Sequence, residues 1–490
     1  RIHDPNEQLY GKYLTSEEFI ERFAPKQEDY DQVIAYAKTI GLTVTATHSN
    51  RTLVNVTGRS KSIENAFNLR LHHYEKHDGR TFYAPDNDPK VPNFIASIIH
   101  GIVGLDNHAK WRTYHRRRPT TKKHLIAQDT PSTYPSGPGG AYAPSDLLTA
   151  YNLTQVLANG SGQIIALFEL GAYLESDINQ YTTYFGLPAA NLQNVLVDGG
   201  PSSNAADGEV TLDIQLALAL APASQIYVYE GPNSDQGVLD TYNRIATDNL
   251  AKQVSTSWGM GEDLAGAQQL QAENSIFQQM AAQGQTVYAA AGDSGAYDDY
   301  KENRSLTLMV DDPASQPYVV GVGGTRLTVN PDSGAYISEL VWNDGLGSAG
   351  GGGVSTVWPL PSWQTSVPTI YSKAYRNVPD VSFNADPDSG YAIFFEGTWQ
   401  TFGGTSCAAP LWAAFNACVN QVRVANQKPV LGFANPLFYA IGTGSSYGAD
   451  FHDITSGSNL FYSAGQGYDN ASGWGSFNGA NLFSDLTNAQ

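Results

Sequence analysis

Cysteine is nearly absent from this sequence: it holds two in 490 residues, Cys407 and Cys418. They stand eleven positions apart in a run that reads as one helix. At 1.5 Å rise per residue that separation is roughly 16 Å, beyond the reach of a disulfide. No disulfide framework is expected, and two thiols so placed cannot frame a zinc site. Long apolar runs are missing too. No stretch approaches the about 18 apolar residues of a membrane helix. The chain opens at Arg1 without an apolar leader, which excludes nothing about export. Cations are the third scarcity, and an uneven one. Residues 141–490 hold 9 Lys and Arg against 32 Asp and Glu, a balance of −23, whereas residues 1–140 balance at +4. So acidic a segment repels nucleic acid and anionic membranes at neutral pH, and it suits an acidic setting. Histidine thins out in the same place: nine of the ten lie between His3 and His124, leaving only His452 beyond residue 140.

What is present divides the chain in three. Residues 1–107 read as a small α+β unit of ferredoxin-like type. A Thr15-to-Glu18 capping box opens a helical pattern, alternating stretches follow, a hairpin turns at Asp78-Gly79, and an apolar helix is expected in "FIASIIHGIVGLD". Residues 108–140 combine a basic cluster with Pro, Ser, Thr and Gly, the composition of a linker and a place where a chain can be cut. Residues 141–490 alternate short apolar strands with helical patterns, which predicts an α/β domain: a mostly parallel sheet with helices on both faces. Sites in such folds sit at the carboxyl ends of the strands. Six N-x-S/T sequons, at Asn50, Asn55, Asn152, Asn159, Asn303 and Asn470, permit glycosylation without requiring it.

The stretch "TFGGTSCAAPLWAAF", residues 401–415, puts Ser406 after two glycines and a threonine at the start of a helix, with Pro410 expected in the first turn. A serine there lies beside free backbone donors and suits a reaction that develops an oxyanion. It needs a base. A Ser-His-Asp triad would have to use His452 or a histidine from the first segment. "DGEVTLDIQLALALAP" instead places Glu209 and Asp213 four residues apart on one face of an apolar helix. Burial raises a carboxyl's pKa and fits it for proton transfer in acid. Asp293 in "AAGDSG" ends a predicted strand and, protonated, could donate to an oxyanion. Asp-Ser-Gly recurs at Asp332 and Asp388, the repeat that a pepsin-like enzyme would use, but the strand–helix alternation speaks against two all-β lobes.

"GGTSCAAP", "GEVTLDI" and "AAGDSG", together with "STSWG", "ELVWNDG", "GGGVS" and "VPDVSFNADPDSGY", resemble the motif set of the sedolisins, or serine-carboxyl peptidases, and of their kumamolisin-like members in particular. The resemblance spans the whole chain, with residues 1–107 similar to the family's inhibitory activation prodomain. It implies a subtilisin-like fold, Ser406 as nucleophile, Glu209 as base, Asp213 as its partner and Asp293 as the oxyanion carboxyl. It further implies a supporting network of Glu169 and Trp258, a cleft lined by Ser257 and Gly259, and one structural Ca2+. That ion would be held by Asp453 and Asp469 and by backbone oxygens of Ile454, Gly465 and Gly467. The expectation is a secreted, monomeric, acid-active endopeptidase that acts on proteins or peptides and processes itself within residues 108–140. It binds neither nucleic acid nor membrane. The +4 prodomain segment should be held on the −23 domain electrostatically and released by acid. A catalytically silent binding relative and a tripeptidyl exopeptidase are the alternatives.

Overall fold

Between residues 164 and 329 the apolar strands are too short to fold alone and too apolar on both sides to face water, so they stack edge to edge between helices. The structure, a computed structural model, describes residues 2–3, 7–76, 79–108, 110–118, 134–203 and 205–489. Its main sheet has eight strands. They run from Asn191–Leu196 through Gln225–Glu230, Ile164–Glu169, Gln253–Thr256 and Thr286–Ala290 to Val319–Val329. The last of these pairs both with antiparallel Tyr336–Val341 and with parallel Val381–Asn384; every other ladder is parallel.

The sheet separates two cores. Ile165 and Leu167 pack on one side against the helices Gly208–Leu220 and Thr405–Ala425. Ala166 and Phe168 pack on the other against Asp235–Asp248 and Ala267–Ala282. The helix Gly208–Leu220 is buried along its whole length. Its Leu212, Ile214, Leu216 and Leu218 each contribute about 1.5–3 kcal/mol by burial. That carries Glu209 and Asp213 into an interior that ionised carboxylates would avoid. Cys407 and Cys418 share the helix Thr405–Ala425 as buried free thiols. Burial drives the Cys407 thiol well above its usual range, so it is an inert core residue.

The amino-terminal unit has its own small core of Ala37, Leu42, Phe67 and Leu69. It is built from the helices Ser16–Phe23, Gln27–Thr39 and Ser60–Phe67 and two antiparallel pairs, Thr43–Thr47 with Val54–Thr57 and Leu71–Glu75 with Thr81–Pro85. The Thr15–Glu18 capping box forms. The hairpin closes around Gly79, while Asp78 lies outside the described residues. The apolar helix expected over residues 94–106 is instead one turn, Asn93–Ala96. Beyond it, Ile102 and Leu105 turn into the core of this unit while Val103 packs against the catalytic core. Serving two cores from neighbouring residues requires extended chain, and Gly104 at φ +78° allows the turn.

This unit docks on the helices Asp235–Asp248 and Ala267–Ala282. The Asn50 amide donates to Asn243 at 2.6 Å and Gln279 at 2.8 Å, the Asn55 amide donates to Asp240, and His48 lies 3.3 Å from Asp240. The docking thus combines neutral amide bonds with one His48–Asp240 pair. The denser ion pairing belongs to the linker that follows. The processing region expected within residues 108–140 lies in part, at 109 and 119–133, outside the described residues.

Candidate active site

Ser406 is the second residue of the helix Thr405–Ala425, entered from the strand Thr398–Gly403 through Gly404. Gly404 has φ +103°, and a β-carbon there would lie 2.1 Å from the Tyr114 carbonyl oxygen and 2.8 Å from Asp293 Oδ2. Only glycine leaves room for both atoms. The helix starts one turn earlier than the expected position of Pro410 required. Pro410 is the sixth helical residue and takes the N–H away from the Ser406 carbonyl. The Ser257 hydroxyl lies 3.3 Å from that carbonyl and 2.9 Å from Asp213 Oδ1, with both in donor geometry. Ser257 is fully buried behind the nucleophile. Its side chain therefore positions Asp213 rather than lining the cleft as the resemblance implied.

A row of buried carboxyls runs inward from Ser406. Burial is the largest cause raising Glu209, with the charges of Asp207 and Asp293 adding to it; the neighbouring Ser406 and Thr113 hydroxyls favour its charged form. Asp213 is raised by burial and by Glu209, against hydrogen bonds from Ser257 and Glu169. Glu169 is raised by burial and by Asp213, and accepts 2.9 Å from the Trp258 indole N–H. So Ser406 neighbours Glu209, Asp213 neighbours Glu169 and Glu169 neighbours Trp258, with Glu209 and Asp213 one turn apart on the same buried helix. On the other side of Ser406, Asp293 Oδ1 accepts from the Thr405 N–H at 2.8 Å and the Thr405 hydroxyl at 3.0 Å. Its pKa is pushed up to about 6 by burial, partly offset by Arg116.

His452 does not reach this place. It stacks on Tyr336 with ring centroids 3.8 Å apart, lowered to about 4 by burial. Nor do the other Asp-Ser-Gly repeats: Asp332 lies in the turn after Asn330, and Asp388 in a short 3-10 helix, Pro387–Ser389.

Sequence reasoning missed what fills the cleft. Residues 110–118 cross it as an extended strand. Arg112 and Thr113 pair antiparallel with Gly259 and Trp258, and Arg116 and Arg117 with Gly403 and Phe402. Gly259 thus lines the cleft through its backbone. Between the two ladders the Tyr114 carbonyl accepts the Ser406 N–H at 3.0 Å. The Tyr114 phenol donates to Asp311, and Arg112 donates to Asp298. Arg116 Nε lies 3.3 Å from Asp293 Oδ2, and His115 Nδ1 2.8 Å from Glu209 Oε2. The Ser406 hydroxyl, though beside Glu209, makes no hydrogen bond of ordinary geometry. Nothing in "WRTYHRR" signals a strand: buried Trp111 and Tyr114 stand three residues apart, not at the two-residue period of a sheet face.

The remaining group lies at the carboxyl-terminal end. Gly467 N–H donates to both Asp453 oxygens at 3.1–3.2 Å, and Gly465 N–H to Asp469 Oδ2 at 2.9 Å. The loop 465–469 therefore wraps both carboxylates, with Ile454 buried beside them. All candidate donors are oxygens, the set a hard cation takes. Among the described residues no three His, Cys, Asp or Glu side chains converge as a metal cluster, so an ion here would depend on backbone carbonyls.

Comparison with known proteins matches residues 1–108 to the Pro-kumamolisin activation domain and residues 200–430 to the subtilase family. Kumamolisin from Bacillus sp. (strain MN-32) is 37% identical over 494 residues, covering 97% of this chain and 86% of that protein. Sedolisin from Pseudomonas sp. (strain 101) is 32% identical, covering 98% and 83%. Human tripeptidyl-peptidase 1 is 27% identical, covering 99% and 88%. A solved structure of Pseudomonas sedolisin, a serine-carboxyl proteinase complexed with two molecules of pseudo-iodotyrostatin, has a TM-score of 0.66 and 33% identity, covering 71% of this chain and 99% of that one.

Proposed function

The chain belongs to the sedolisin family of serine-carboxyl peptidases and carries its activation domain in front of a subtilisin-like peptidase domain; on that premise we propose that it is an acid-active endopeptidase whose nucleophile is Ser406. One observation carries the reading: a peptide carbonyl, that of Tyr114, sits on the Ser406 N–H above Gly404, beside Asp293, with Glu209 adjacent.

A substrate carbonyl takes the place of the Tyr114 oxygen. Ser406 Oγ attacks its carbon while Glu209 accepts the hydroxyl proton. The oxyanion is stabilised by the Ser406 N–H and by the Asp293 carboxyl, which must be protonated to donate. Glu209 then passes its proton to the leaving amine. Water attacks the acyl-enzyme by the same route and releases the carboxylate product. Asp213, held by Ser257, and Glu169, held by Trp258, keep Glu209 oriented and share its proton. Glu209 must be ionised and Asp293 neutral, so activity falls as pH rises through the Asp293 pKa, which burial lifts to about 6 with the linker in place. Removal of the linker strand readmits water to Glu209 and relieves the burial that raises it.

Cleavage inside chains, rather than release of tripeptides, is supported by what lies upstream. The strand continues past Arg112, three residues ahead of the carbonyl-to-amine junction, through buried Trp111, whose carbonyl accepts from Asn233 at 2.8 Å. A cleft that holds a fourth residue does not stop at three. Hydrolysis of an amino-terminally blocked peptide tests this; cleavage only of free amino-terminal tripeptides would refute it.

One structural Ca2+ belongs to the same proposal, with Asp453 and Asp469 as carboxylate ligands and carbonyls of Ile454, Gly465 and Gly467 completing the set. Bound there, it would supply stability rather than chemistry. Export as a monomer is the matching cellular expectation: a peptidase kept silent by its prodomain suits release into acid surroundings, and its presence in culture medium is the check.

A further inference from the structure

We propose that the peptide bond between Tyr114 and His115 is the first bond this protein cuts in itself, an inference that rests on the peptidase reading above. Three independent registers place that bond over Ser406. Upstream, Arg112 and Thr113 pair with Gly259 and Trp258; downstream, Arg116 and Arg117 pair with Gly403 and Phe402. The two ladders leave only Tyr114 and His115 to span the catalytic row, and the Tyr114 carbonyl is the one on the Ser406 N–H. The side chains agree. Tyr114 is buried with its phenol on Asp311, Arg112 reaches Asp298, and the Arg117 guanidinium lies 4.8 Å from the Phe395 ring centroid. A strand anchored on both sides of the junction is presented as a substrate is.

The step balances without a co-reactant other than water. Ser406 Oγ bonds to the Tyr114 carbonyl carbon, its proton passes to Glu209, and the bond to the His115 nitrogen breaks as Glu209 protonates it. Water then hydrolyses the Tyr114 ester, leaving a carboxylate on 1–114 and a free amine on 115–490. Before this, Glu209 Oε2 must exchange His115 for the Ser406 hydroxyl, since the two are close in the uncut chain. The same contacts define a preference in other substrates: a hydroxylated aromatic residue before the cut and a cation two residues further upstream.

The zymogen is brought from neutral pH to about pH 4 and quenched over time for intact mass and amino-terminal sequencing, with Ser406→Ala alongside. The earliest products expected, from wild type alone, are 1–114 and 115–490. His115→Pro, which makes the junction uncuttable, should lose the 1–114 product. As a measurement independent of zymogen folding, the doubly blocked peptide WRTYHRRR should be cut by the activated enzyme between Tyr and His. A Ser406-dependent first cut elsewhere, a 1–114 product persisting in His115→Pro, or the peptide left intact while denatured protein is digested would each overturn the assignment and leave the peptidase reading standing. No hydrolysis of any substrate would remove both.

Discussion

Consider the Ser406→Ala zymogen, which cannot cut itself, taken from pH 8 to pH 7. Most proteins are indifferent to this change, but two buried groups of carboxyls make this one respond. Burial and the charge of Asp213 raise Glu169, burial and Glu209 raise Asp213, burial and Asp312 raise Glu273, and burial lifts Asp312 to about 7. In each group burial is the first cause. If each keeps a single proton that the unfolded chain releases near pH 4, folding takes up two protons throughout this window. A group whose folded pKa is raised contributes stability present below its unfolded pKa and lost as pH rises through the folded one. Two protons are worth about 2.7 kcal/mol per pH unit. His3, His115 and His452, each lowered to about 4 by burial, act in the opposite sense. They titrate in the unfolded chain near 6.5 and take back only about 0.4 kcal/mol between pH 8 and pH 7. The net gain of about 2 kcal/mol should raise Tm by roughly 2–4 °C for a domain of this size. Calorimetry at the two pH values reads it directly. A Tm that is flat or falls on acidification would refute protonated carboxyls in the folded interior.

Further outcomes follow from single positions. Asp293→Asn keeps a donor but cannot ionise; it should cost less in kcat than the about 10²–10³ of removing the donor outright and abolish the alkaline limb, and an unchanged limb in the pH–rate profile would count against Asp293. Glu209→Gln should fold, with Tm no lower than wild type, yet fail to process; processing at a wild-type rate would exclude Glu209 as base. Ser257→Ala removes the hydroxyl shared by Asp213 and the Ser406 carbonyl, a loss of about 1–1.5 kcal/mol that should appear in kcat rather than KM. Chelation should lower Tm, since an ion at about 100 times its Kd stabilises by about 2.7 kcal/mol; Asp469→Ala should remove the response to chelator, and a chelator effect surviving that change would place the ion elsewhere.

The parts legible in the sequence were those whose chemistry is local. Spacing put Glu209 and Asp213 on one helix face, and strand–helix alternation gave the sheet whose carboxyl edge carries Glu169, Trp258 and Asp293. What was not legible depends on a distant partner. Arg112–Thr113 and Arg116–Arg117 are strands only because Gly259 and Gly403 offer them edges; their own composition reads as linker, and β structure is a property of the pair. Ser257 was misplaced for a similar reason. Its role follows from Pro410, which frees a carbonyl 149 residues away in sequence. The electrostatic account of prodomain retention also needs redistribution, because the prodomain docks through the Asn50 and Asn55 amides and a single His48–Asp240 pair while Arg112 and Arg116 of the linker carry most of the charge contacts.

The central claim, that Ser406 and Glu209 form the hydrolytic pair, is tested most directly by kcat/KM on a doubly blocked peptide at about pH 4. Wild type is measured after activation; Ser406→Ala and Glu209→Gln are measured after their prodomains have been removed by added active enzyme, which is then inhibited. The account predicts turnover by wild type and none above background by either variant. Turnover by Ser406→Ala comparable with wild type would contradict it.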